Sequence, residues 1–179
     1  IKNITQEDLR DHIGYIPQKN ILFSGTIAEN LRFGKEDATQ DEMEHAVAIA
    51  QASEFVSQKE DGLESYVEQE GKNFSGGQKQ RLAIARAIIR KPEVYLFDDS
   101  FSALDLKTDM KLRQALKSET KDAIVVIVGQ RISTIKDADK IIVLDEGQVD
   151  ALGTHDELLK TSKVYREIAL SQLSEEELA

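Results

Sequence analysis

"SGGQKQRLAIARAIIRKPEVYLFDDS", residues 75–100, sets the architecture. Ser75, Gly76 and Gly77 lead into apolar positions at Leu82, Ala85, Ile88 and Ile89, the spacing of a helix with one buried face. Pro92 lies just beyond its end. "VYLF" at 94–97 then reads as a buried parallel strand, and two carboxylates, Asp98 and Asp99, follow it directly. A glycine-led helix start suits a phosphate, because its unpaired amides and the helix dipole favour negative charge there. A carboxylate at the carboxyl end of a buried parallel strand sits in the crevice where α/β proteins bind ligands. Taken alone, Asp98 reads equally well as a helix-capping aspartate.

Two more apolar runs read as buried parallel strands, "AIVVIV" at 123–128 and "KIIVLD" at 140–145. Helices are expected between the strands, at about 106–118 and 131–137. Strand–helix alternation of this kind predicts an α/β fold, a parallel sheet flanked by helices. Residues 39–60 are helical in pattern and strand-free, a candidate helical subdomain inserted into that core. Thr26 with Glu29, Thr39 with Glu42, and Thr154 with Glu157 are capping boxes, predicting helices near 26–33, 40–51 and 155–160. Thr5 with Asp8 is a weaker version. "DEGQV" at 145–149 reads as a tight turn joining two strands, and "SEEELA" at the end as a solvated acidic tail.

The 179 residues suffice for one domain with a sizeable core, and 40% hydrophobic with 31% charged residues is a globular composition. A net charge of −10 argues against an extended nucleic-acid surface, although Lys79, Arg81, Arg86, Arg90 and Lys91 cluster in sequence. The absence of cysteine excludes disulfides and thiolate zinc sites. No apolar run approaches the roughly 18 residues of a membrane span. The first residue is Ile1, and no stretch matches G-x-x-x-x-G-K-[ST], the loop with which a nucleotide-hydrolysing domain grips its own ATP. The expectation is a domain whose amino-terminal part lies upstream, which leaves open whose phosphate the cradle at Ser75 holds.

"FSGGQ" at 74–78, "VYLFDDS" at 94–100 and "SALD" at 102–105 follow in the order and spacing of ATP-binding cassette (ABC) domains. "IGYIPQKNILFSGTIAENL" at 13–31 resembles the Q-loop region of ABC exporters, and "VIVGQRISTIKDADKIIVLDEGQV" at 126–149 resembles the switch segment and the strands after it. The resemblance spans essentially the whole chain, residues 1–179, as the carboxyl-terminal portion of one nucleotide-binding domain of P-loop NTPase type. It places a helical subdomain with the Q-loop side and the signature at about 26–92, and the Walker B, D-loop, switch and terminal region at 93–179.

The resemblance implies roles. Two such domains pair head to tail with ATP between them, so Ser75, Gly76, Gly77 and Gln78 would hold the partner's nucleotide. Asp98 would hold Mg²⁺, and Gln18 would reach both Mg²⁺ and the attacking water, its neighbourhood touching a membrane domain. Ser102 and Asp105, which open and close "SALD", would lie along the nucleotide interface; Asp105 is equally a helix cap. Asp99 stands where the family usually carries a glutamate base, and Gln130 where it carries a histidine on the γ-phosphate. Aspartate draws its carboxylate back by about 1–1.5 Å, and glutamine cannot become a cation. An intact signature beside an impaired acceptor side resembles the degenerate half of a heterodimeric exporter. Phe74 replaces a common leucine, and "VEQEG" at 67–71 keeps only Val67 and Gly71 of the exporter V-G-E-x-G.

The implied cofactors are ATP and Mg²⁺. The implied partners are a second ABC domain on a different half-transporter and a transmembrane domain of the same chain, at the cytoplasmic face of the plasma membrane, with no nucleic acid. Three other readings remain: an active homodimeric exporter with Asp99 as a slower base, a soluble ABC-type clamp on nucleic acid or ribosomes, and a non-catalytic interaction domain.

Overall fold

The computed structural model describes residues 3–173, so the acidic tail lies outside them. They divide into two compact units, one through Val128 and one from Gly129 onward.

In the first unit Thr5 caps α1 (Gln6–Asp11), which leads into β1 (Ile13–Ile16). Next come the short β2 (Gly25–Thr26), α2 (Ile27–Arg32), α3 (Gln40–Ile49) and α4 (Ser53–Ser57), then β3 (Tyr66–Val67), which pairs antiparallel with β2. The helix α5 (Gly76–Arg90) follows, then β4 (Val94–Asp98), α6 (Leu106–Glu119) and β5 (Ile124–Val128). The helix starts agree with the capping pattern. Thr26 and Thr39 each accept from the amide three residues on, while Glu29 and Glu42 return to the cap amide. Thr5 accepts from the Asp8 amide, but Asp8 takes the Thr5 hydroxyl rather than its amide.

The core gathers around α5. Leu82, Ile84 and Ile88 are buried with Ile16, Phe97 and Leu112. The helix is covered on more than the one face its spacing suggests, since Ala83, Ile84 and Ala87 are buried too. The reason is that α2, α3 and β1 all pack against it. Gly34 marks how close they come: a Cβ there would sit 2.2 Å from the Arg86 carbonyl oxygen.

The strands β1, β4 and β5 form one parallel sheet in the order β1-β4-β5, with Ile16 opposite Phe97 and Asp98 opposite Val128. One expectation is corrected here. The 123–128 run is a parallel strand but is not buried, with Ile124 64% and Val128 52% exposed. It ends the strand order and pairs only with β4 among the described residues, and side chains on both of its faces are exposed.

In the second unit α7 (Ile132–Ile135) precedes β6 (Ile141–Asp145), β7 (Gln148–Gly153), α8 (His155–Thr161) and α9 (Lys163–Leu170). Ile132, Ile141, Val143, Leu158, Tyr165 and Ala169 make its core. The 140–145 run is therefore a strand, but an antiparallel one paired with β7. Glu146 (φ 45°) and Gly147 (φ 78°) form the two-residue turn between them. Positive φ at both positions is the primed hairpin turn, and so short a connection cannot carry a parallel crossover. Among the described residues no helix is long and apolar enough to cross a membrane.

Candidate functional site

Parallel register brings the ends of β1 and β4 together. Two residues beyond the Ile16–Phe97 pair, Gln18 Nε2 donates to Asp99 Oδ2 at 3.2 Å. Tyr15 projects from the other side of β1 than buried Gly14 and Ile16, and its hydroxyl donates to Asp98 Oδ2 at 2.9 Å. That bond, with the carboxylate's charge, raises the Tyr15 pKa above its ordinary 10.0.

Asp99 adopts φ 46°, a left-handed conformation that costs a non-glycine residue about 1–3 kcal/mol. It persists because its surroundings over-determine it. The Asp99 amide donates to the Val128 carbonyl at 2.8 Å, and the hydroxyl of fully buried Ser100 donates to the Ile16 carbonyl at 2.8 Å. The Ser102 hydroxyl closes the turn on the Asp99 carbonyl at 2.9 Å.

Two carboxylates and an amide oxygen are hard donors. Among the described residues no group of three or more His, Cys, Asp or Glu side chains is placed to hold a metal ion by itself. A small donor set of this kind fits Mg²⁺, which binds through one or two carboxylates plus phosphates and keeps several waters.

The second part is the start of α5. Ser75 and Gln78 form a reciprocal cap: the Gln78 amide donates to Ser75 Oγ (3.3 Å), and Gln78 Oε1 accepts from the Ser75 amide (2.9 Å). This fourth capping box was legible in sequence as serine with glutamine three residues on. The two glycines differ. At Gly77 a Cβ would lie 3.3 Å from the Ala103 carbonyl oxygen, so the loop before α6 presses on it. At Gly76 a Cβ would meet nothing within 4 Å, and φ is not in the left-handed region. Neither packing nor backbone conformation within the described residues requires glycine there. The helix start is open to a ligand from outside.

Asp105 caps α6, accepting from the Thr108 amide at 3.0 Å, and hydrogen bonds from Thr108 hold its carboxyl below the usual range. Gln130 belongs to the second unit, where it is exposed and its carbonyl accepts from Gln172 Nε2 at 2.7 Å. The structure thus joins Gln18, Asp98, Asp99 and Ser102 at the strand ends, and Gly77 to the Ser102–Asp105 loop. Sequence reasoning missed Tyr15, whose signal was its alternation with Gly14 and Ile16, and buried Ser100 after the carboxylates.

The basic cluster is not a free patch. Arg81 Nη1 donates to the Gln51 carbonyl (2.6 Å), Arg86 to that of Ile21 (3.1 Å), Arg90 to that of Arg10 (3.0 Å) and Lys79 to that of Glu70 (3.5 Å). Burial lowers the pKa of both Arg81 and Arg86. In "VEQEG" the kept residues have structural reasons: Val67 is fully buried and Gly71 has φ 64°.

A family model for ABC transporters matches residues 1–102. An uncharacterized ABC transporter ATP-binding protein of Mycobacterium tuberculosis is 47% identical over 175 residues, covering 96% of this chain and 30% of that protein. A putative export ATP-binding/permease protein of Rickettsia felis is 41% identical over 167 residues, covering 93% of this chain and 29% of its own. The solved structure of a bacterial Atm1-family ABC exporter with ATP bound superposes with a TM-score of 0.93 at 34% identity, over 98% of this chain and 31% of that one. The chain spans about 30% of the length of the curated relatives it matches.

Proposed function

This chain belongs to the ABC transporter family, and from that premise we propose that it is the carboxyl-terminal portion of an exporter's ATP-binding domain, slow at its own ATP site and completing a partner's. Residues at about 26–92 serve as the helical subdomain and 93–179 as the portion carrying the Walker B, D-loop and switch positions. Two similarities support the exporter reading: a putative export permease in Rickettsia felis and the ATP-bound Atm1-family exporter. The partners are then a second ABC domain on another chain and a transmembrane domain of the same protein, at the cytoplasmic face of the plasma membrane.

Openness at Gly76 is the observation that carries the reading. In the pair, Ser75, Gly76, Gly77 and Gln78 present a hydroxyl, an amide side chain and the first helix amides to the partner's nucleotide. Ser102 and Asp105 line the same interface beside Gly77. At this chain's own site Asp98 and Gln18 would hold Mg²⁺, and the ion when bound would supply positive charge against the phosphoryl group. Asp99 orients the attacking water, with Gln18 fixing its carboxylate. Gln130 stands where the family carries its histidine and offers only a neutral hydrogen bond, whereas an imidazolium would add charge. The short Asp99 carboxylate and that missing charge slow the step. A nucleic-acid clamp fits less well, because the basic residues of α5 are bonded to carbonyls.

The test is Gly76→Asp in the purified assembly. A carboxylate in the open cradle blocks and repels the partner's phosphates, so turnover collapses. Unchanged ATPase activity would sink the claim that this signature acts across the interface.

A further inference from the structure

Gln80 is 2% exposed, on the second turn of α5, and its side chain faces the turn that carries Asp99. Its Nε2 donates to the Ser100 carbonyl, whereas its Oε1 is buried with no hydrogen-bond partner among the described residues. The orientation is fixed by chemistry, since a carbonyl only accepts and the group facing it must be the NH₂. A buried, half-satisfied amide is a poor choice for stability alone, because its orphan acceptor pays desolvation with nothing in return.

We infer that Gln80 is a positioning residue that locks the signature helix to the strained Asp99–Ser102 turn. The inference rests on the ATPase reading above. Ser100 is the hub: its hydroxyl ties the turn to the end of β1 at Ile16, two residues before Gln18, and its carbonyl ties it to α5. A second contact runs in parallel, with Gly77 packed against the Ala103 carbonyl. Within one chain, Ser75 to Gln78 address one ATP and Asp99 the other, so the lock makes the two composite sites move together. A shift of the turn by a fraction of an ångström alters both at once.

The experiment uses the full-length protein assembled with its partner domain, and measures ATP kcat, KM and melting temperature. Gln80→Met keeps length and volume while deleting donor and orphan acceptor together. Expected is a kcat lower by about tenfold, as misplacement of reacting groups implies, with KM within about twofold and a melting temperature unchanged or raised. Gln80→Asn, whose amide falls about 1.5 Å short, should show the same split. Wild-type kcat in either folded variant overturns the inference, as does a loss of kcat that tracks a fall in melting temperature. A wild-type assembly with no ATP turnover overturns the ATPase reading itself, and the inference with it.

Discussion

Asp99 and Gln130 carry the claim of a slow site, and both are replaceable by the residues whose absence defines it. Asp99→Glu with Gln130→His should raise hydrolysis at this chain's own site by about tenfold or more, given that about 1 Å of misplacement costs on the order of 100-fold. Single-turnover hydrolysis in the assembly, with the partner's site inactivated, reads the effect; no gain in an ATP-binding assembly contradicts it. Gly76 separates folding from function in the same way. Its backbone is compatible with a side chain and its surroundings are empty, so Gly76→Ala should stabilise the fold by about 0.4–1 kcal/mol while lowering turnover at the partner's site. Thermal unfolding and ATPase assays on one preparation check both signs. The identities of these residues were plain in the sequence. That nothing within the described residues requires glycine at position 76 was not, because it depends on what is absent around it in three dimensions.

At the scale of elements, local chemistry was the most legible. Each capping box closes within four residues, so Thr26, Thr39 and Thr154 announced their helices without tertiary help. Pairing partners were harder: "KIIVLD" is equally apolar in a parallel or an antiparallel strand, and the Glu146–Gly147 turn decided the matter. The start of α3 carries a pH prediction. Glu42 bonds Lys35 at 2.5 Å and the Thr39 amide at 3.0 Å, which together lower its pKa from 4.5 to about 2. A lowered carboxyl pKa stabilises the fold above the ordinary value and loses that contribution as pH falls through the folded one. The protection factors of the α3 amides, which remove the intrinsic pH dependence of hydrogen exchange, should therefore fall as the pH drops from 4.5 toward about 2. Glu42→Gln should flatten that part of the profile relative to wild type. In α5, Ile84 is fully buried, and Ile84→Ala should cost about 2–5 kcal/mol in denaturant unfolding.

The whole first unit is organised so that the ends of β1 and β4 converge while α5 abuts the turn that follows β4. The sequence foretold carboxylates at the end of β4, because an apolar run followed by them places them at the strand end in any parallel sheet, but it did not foretell that β1 lies beside that strand. It did not foretell the exposure of β5, which depends on what lies beside the strand. Nor did it show that Tyr15 occupies Asp98, a contact set by the Tyr15–Leu96 register rather than by any local signal. The central claim concerns the protein as a whole: ATP is held here but turned over slowly. The direct test is ATP binding and Mg²⁺-ATP turnover on one sample of the full-length protein, purified without a partner in detergent or lipid. The account predicts binding with negligible turnover. Turnover in the ordinary enzymatic range of about 1 s⁻¹ or more would mean that Asp99 and Gln130 suffice, and would contradict it.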